Sequence, residues 1–141
     1  MPSPGLAARV SRARRSLERL SRIASTSWEE YSASEDLQAL AERHLHVLLE
    51  AILDLAGFIA ARRGLSPGPT YREVMESLVR SKLIEPELSK LALQVPGMRN
   101  ILVHGYAEVR HDTIYETLRR DLGSLARLLK HLEEEADRID P

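Results

Sequence analysis

The stretch GMRNILVHGY, residues 97–106, sets an arginine, an amide, a histidine and a phenol among three consecutive aliphatic residues. Arg99, Asn100, His104 and Tyr106 are the side chains in this sequence whose types and spacing could do chemistry together. Histidine moves protons near neutral pH. Arginine grips a phosphate with two parallel hydrogen bonds and stabilises charge that builds on it. Those two services, without a metal, are what RNA cleavage through its own 2′-hydroxyl requires. One proton must leave the 2′-oxygen and another must reach the departing 5′-oxygen, ideally through two groups. A two-fold dimer that brings two motifs face to face would supply two histidines and two arginines. The spacing also fits a plainer reading, with His104 a capping or satisfied interior histidine and Arg99 a surface ion-pair partner.

Taken as helix at about 100° per residue, Arg99 and His104 lie about 140° apart, with Asn100 nearly above His104. The expectation is a polar arc of Arg99, Asn100 and His104, with Ile101 and Leu102 turned the other way, into the bundle. Gly105 should stop the helix, so that Tyr106 emerges at the mouth of a cleft. A second polar stripe interrupts an apolar segment upstream: His46, Glu50 and Asp54 recur at every fourth position. Glu50 and Asp54 repel at that spacing, so both are expected to line the cleft with a compensating cation, for which Arg99 is the candidate. A solvated or interface face explains that stripe better than a metal site does, and no metal is assigned. His44, His111 and His131 show no partners and read as structural or surface residues.

Helices must position these groups. A first segment, roughly 6–25, carries Leu6, Val10, Leu17, Leu20 and Ile23 on one side and Arg9, Arg12, Arg15, Arg19 and Arg22 on the other. Those arginines suit an RNA-guiding patch and equally a plain solvated face with Glu18 among them. Ser34 is placed to cap a long second helix, roughly 35–63, whose length implies packing on more than one side. The loop GLSPGPT follows, and Thr70 with Glu73 forms a capping box for a third helix. Pro86 suits the first turn of a fourth, which Pro96 and Gly97 should kink or break. Asp112 or Thr113, with Glu116 to close a box, opens a last helix to about Asp137. No strand-like alternation appears, so the fold class is all-α, an up-and-down bundle of four to five helices.

Composition bounds the rest. The 141 residues are read as a single domain, 1–141, with 4% aromatics and no cysteine, which leaves no disulfide framework or thiolate metal site. A net charge of −1 gives no global attraction to nucleic acid. The N-terminus lacks a signal-type apolar core, and no run of about 18 apolar residues exists to span a membrane. A cytoplasmic home with no membrane association is expected.

The string MRNILVHGY resembles the R-x4-H-x-Y signature of the HepT-like toxins in the HEPN superfamily. The flanks AILDLAGFIAARRGLSPGPTYREVMESLVRSKLIEPELSKL and TIYETLRRDLGSLARLL are similar to that family's order of helices, so the resemblance spans roughly residues 35–130. It implies a helical bundle, a homodimer with a composite cleft, and a metal-independent endoribonuclease acting on tRNA or mRNA without a cofactor. It also implies a toxin–antitoxin pair whose antitoxin is a minimal nucleotidyltransferase of the MntA type. By the same resemblance Arg99 and His104 take the catalytic positions and Asn100 the polar position beside them. Tyr106 takes the position that the antitoxin modifies with AMP. The alternative is a non-catalytic HEPN subunit that supports a partner nucleotidyltransferase.

Overall fold

Apolar residues spaced three or four apart, punctuated by caps and prolines, dictate helix along almost the whole chain. The computed structural model describes residues 4–105 and 109–139. Its helices are α1 (Pro4–Ala24), α2 (Trp28–Ser32), α3 (Glu35–Arg62), α4 (Tyr71–Arg80), α5 (Pro86–His104), α6 (His111–Arg120) and α7 (Leu122–Ile139). The all-α expectation holds. Four long helices (α1, α3, α5 and α7) make the bundle, and α2, α4 and α6 are shorter pieces set between them.

The expected signals act where they stand. The Ser34 hydroxyl accepts from the Leu37 amide at 3.1 Å, with Glu35 and Asp36 in the first turn of α3. Thr70 and Glu73 complete the capping box of α4, and Pro86 occupies the first turn of α5. Gly64, at φ 71°, supplies the left-handed residue that lets the chain leave α3.

α3 is the hub, packed against α1, α4, α5 and α7. It contains an 18-residue stretch, at mean hydropathy 1.6, apolar enough to match a membrane span by composition. Its apolar surface is instead taken up inside the bundle: Leu45, Leu48, Leu49, Ile52, Leu53, Leu55 and Ile59 are all buried by neighbouring helices. α1 lies along it and buries Leu6, Val10, Ala13, Leu20 and Ile23.

Four expectations change. Pro96 neither breaks nor ends α5: Leu88, Leu91, Ala92, Val95 and Pro96 itself form the buried stripe, and packing holds the helix through the missing amide. The last helix is two, because Asp121 turns the chain between α6 and α7. Arg110, rather than Asp112 or Thr113, is the N-cap of α6, and it makes no side-chain cap bond. A short α2, capped by Ser27, fills the break between α1 and α3.

The three histidines without legible partners all have them. His44 Nδ1 lies 3.0 Å from the Ser16 hydroxyl, and His131 Nε2 donates to the Leu83 carbonyl at 2.9 Å. His111 Nε2 donates to Glu42 at 3.1 Å, while its Nδ1 accepts from the fully buried Tyr31 hydroxyl at 2.7 Å. Burial, with the Glu42 carboxylate nearby, pushes the Tyr31 phenol well above its ordinary range and keeps it a donor. This relay, packed beside Trp28 and Tyr115, fastens the start of α6 to α2 and α3.

Ile52 is 0% exposed at the centre of α3. Ile52→Ala should cost about 2–5 kcal/mol, read as a lower urea midpoint at unchanged m-value while far-ultraviolet circular dichroism stays helical.

Candidate active site

Three helices converge on the polar stripe of α3. Glu50 receives two hydrogen bonds on one oxygen: Arg99 Nε of α5 donates at 2.7 Å and His46 Nε2, one turn back, at 3.2 Å. Asp54, one turn on, accepts from Arg9 of α1 at 3.0 Å. The repulsion built into the Glu50–Asp54 spacing is therefore relieved from two sides, by α5 at one carboxylate and α1 at the other. Both carboxylates line one cleft with Arg9, Arg12, Arg43, His46, Val47 and Ala51.

Arg99 is held on several sides. Besides Glu50, its Nη1 stands 3.4 Å from the Asn100 amide oxygen, and its guanidinium carbon lies 5.3 Å from the centre of the Tyr71 ring at the start of α4. Only 20% of the side chain is exposed. Nε is committed to Glu50 and Nη1 makes a long contact to Asn100, so the Nη1–Nη2 edge is the one not tied to the Glu50 carboxylate. That is the edge that binds a phosphate bidentately. Tyr71 gives no sign of this role in the sequence, since its cation–π contact with Arg99 depends on how α4 packs against α5.

The polar arc does not form as the helical wheel suggests. The inward side of α5 runs from buried Val95 to half-buried Arg99 and Leu102, and Arg99 reaches Glu50 of α3. The outward stripe carries Leu93, Gly97, Asn100, Ile101 and His104. Ile101 is 53% exposed and Leu93 41%, which corrects the expectation that Ile101 turns into the bundle. The wheel gives the angles between side chains; the phase of the helix against its neighbours decides which arc is buried. His104 is exposed, and among the described residues it has no hydrogen-bond partner. Arg99 and His104 thus sit on one helix without touching, the arginine anchored and the histidine open. Tyr106, the expected acceptor, lies outside the described residues.

Gly105 is the C-cap of α5 at φ −100°, and its amide donates to the Ile101 carbonyl at 2.9 Å. A Cβ there would come within 2.8 Å of that same oxygen. The glycine is required by close approach rather than by a left-handed turn. Among the described residues no cluster of three or more His, Asp or Glu side chains is gathered as a metal site would need.

Comparison with known proteins follows the same lines. The family model described as Ribonuclease HepT-like matches residues 13–132. A tRNA nuclease HepT from Aphanizomenon flos-aquae is 27% identical over 101 residues, covering 72% of this chain and 69% of its own. The tri-AMPylated HEPN toxin of Shewanella oneidensis, solved in complex with MNT antitoxin, superposes with a TM-score of 0.80 at 20% identity, over 94% of this chain and 98% of that one. A cytosolic protein of unknown function from Bacillus subtilis, YutE, superposes with a TM-score of 0.72 at 18% identity, over 94% of this chain and 91% of its own. At such identities the likeness to these structures establishes the fold.

The Glu50 site carries a pH signature. Burial alone would raise this carboxyl, but the hydrogen bonds and charges of Arg99 and His46 outweigh it and hold Glu50 below its ordinary value of 4.5. A depressed folded-state value stabilises the fold above about pH 4.5 and loses that contribution as pH falls below it. Glu50→Gln should therefore flatten the acid-side loss of stability that the parent shows below that pH, measured as urea midpoints across an acid titration.

Proposed function

The chain belongs to the HepT-like ribonuclease family, and from that premise we propose that it is the toxin of a type II toxin–antitoxin pair, a single-domain, homodimeric, metal-independent endoribonuclease of the cytoplasm. The observation that carries the reading is Arg99 pinned through Nε by Glu50, with its Nη1–Nη2 edge not tied to that carboxylate, five residues before an exposed His104 on the same helix. Arg99 grips the scissile phosphate and offsets the charge that gathers on its oxygens. His104 transfers protons: one leaves the 2′-hydroxyl as its oxygen bonds to phosphorus, and one joins the 5′-oxygen as its bond to phosphorus breaks. Asn100 lies on the arc of His104 and braces Arg99. Glu50 is a positioning residue, and Asp54 completes the lining of the cleft.

One histidine in the motif of each chain leaves one proton transfer short, and a second copy supplies it. The outward stripe of α5 suits that contact: Leu93 and Ile101 expose apolar surface on the face that carries His104, and a Cβ at Gly97 would meet nothing within 4 Å. Pairing two such faces sets the two His104 side chains across a composite cleft. The substrate is RNA, of the tRNA or mRNA class. The named HepT relative is a tRNA nuclease, which favours tRNA.

The antitoxin is a minimal nucleotidyltransferase of the MntA type, as in the AMPylated complex of the structural relative. It neutralises the toxin by transferring AMP from ATP to Tyr106: the phenolic oxygen bonds to the α-phosphorus and pyrophosphate leaves. The resulting phosphodiester competes with RNA for Arg99, and the nucleotide fills the groove.

His104→Ala and Arg99→Ala should each lower cleavage of labelled tRNA by about 10²-fold or more and relieve growth arrest, with helical circular dichroism close to the parent. Chelators should leave the parent's rate unchanged. A variant that cleaves as fast as the parent removes that residue from the mechanism, and an intact RNA pool with the parent itself leaves the non-catalytic subunit as the better reading. A fully active monomer by light scattering would end the composite-cleft model.

Tyr106 is tested by mass. Co-expression with the nucleotidyltransferase should add one or more AMP increments to the peptide holding Tyr106, and Tyr106→Phe should abolish them. Full neutralisation of Tyr106→Phe by a catalytically dead partner would mean simple steric blocking.

A further inference from the structure

The arginines of α1 divide between two faces, and the division decides what one face is for. Arg14 pairs with Glu133 of α7, while Arg22 lines a groove against α6 and α7 with Glu18. Glu18 is therefore turned away from the face that meets α3. That other face carries Arg12, Arg15 and Arg19, joined by Arg43 of α3, all at the surface. Among the described residues Arg12, Arg19 and Arg43 form no ion pair, and Arg15 contacts only the Ser11 hydroxyl at 3.4 Å. His44 lies beside two of them. Burial first, and then the nearby charges of Arg19 and Arg43, lower its pKa.

This face is continuous with the candidate active site. Arg12, Arg43 and Val47 line both the cleft that holds Arg15, Ser16, Arg19 and His44 and the neighbouring cleft that holds Glu50 and Asp54. Glu50 in turn holds Arg99. Arg12 to Arg19 covers about 10 Å of helix axis. A row of unpaired guanidiniums that runs to an anchored arginine fits a polyanion extending past the point where it is cut. We propose that Arg12, Arg15, Arg19 and Arg43 form a phosphate track that holds the RNA backbone beside the Arg99 site. The inference rests on the nuclease reading for what happens at the end of the track, and on its own geometry for the binding. An acidic protein face would also be attracted. The row offers no exposed apolar anchor of the kind protein interfaces centre on, and its continuity with the Arg99 cleft favours the substrate.

Phosphate binding of this kind has no sequence preference and weakens with salt, by a slope of about −0.7 per phosphate neutralised on a single strand. The test measures binding of labelled single-stranded RNA by the full chain carrying His104→Ala, across a salt series, so that the probe stays intact. Adding Arg15→Glu and Arg19→Glu should weaken binding at low salt at least tenfold and flatten the salt slope by about 1.4, the share of two phosphates no longer neutralised. Arg15→Gln with Arg19→Gln should do the same more gently. Arg22→Glu with Arg80→Glu makes the same change in net charge off the track and should bind as the parent does. Equal weakening by that control, or parental binding by the Arg15/Arg19 variants, overturns the track. Unchanged RNA binding with failed assembly on the nucleotidyltransferase also overturns it, and gives the face to an acidic protein. If the His104-intact chain binds RNA through the track without cutting it, the track stands and the nuclease reading falls. If the parent binds no RNA, both fall.

Discussion

A half-buried carboxylate on the most buried helix of a bundle is stabilised by the cations that reach it, and Glu50 is such a carboxylate. Arg99 answers from α5 and His46 from the same helix, so the charge that α3 could not carry alone becomes the anchor for an arginine on another element. The anchor works in both directions. Arg99 loses the freedom to swing, because Nε is occupied and its guanidinium lies against Tyr71. Orientation settled before a substrate arrives costs nothing at the moment of binding. Asp54 and Arg9 repeat the arrangement one turn further along α3, which ties α1, and the basic face it carries, to the same helix as the site.

The local grammar of the chain is readable. Ser34, Thr70 with Glu73, Pro86 and Gly105 act through hydrogen bonds or backbone geometry within a few residues, and each stands where its chemistry places it. The pairing of an acidic stripe with a distant arginine is readable too, because Glu50 and Asp54 at one spacing demand a partner. What the chain does not disclose is tertiary in origin. The rotation of α5 about its axis, which buries Arg99 and exposes Ile101, depends on how Leu88, Ala92 and Val95 seat against other helices. His111 bonds residues 80 and 69 positions away, and no periodicity reports such a contact. Pro96 does not break α5, because packing of its neighbours on the buried stripe offsets the hydrogen bond its missing amide costs.

The two faces of α1 show how little net charge says about a surface. A chain near neutrality still segregates its arginines: Arg14 is paired towards α7, while on the α3 side Arg12, Arg15 and Arg19 stand without an ion pair beside the Arg9–Asp54 pair. Attraction for a polyanion is a property of where charges stand unopposed. The sum over the molecule is a different quantity.

The glycine that closes α5 has a geometric corollary. Gly105 closes α5 against the Ile101 carbonyl, and the chain is fastened again at His111 by the Tyr31–Glu42 relay. A group carried on that short span is tethered at both ends to the scaffold that presents His104. If a nucleotide is attached within that span, as proposed, its encounter with the cleft is intramolecular, at an effective concentration of about the millimolar range. Occupancy would then be independent of how much free nucleotide surrounds the protein and of whether the agent that attached it remains bound.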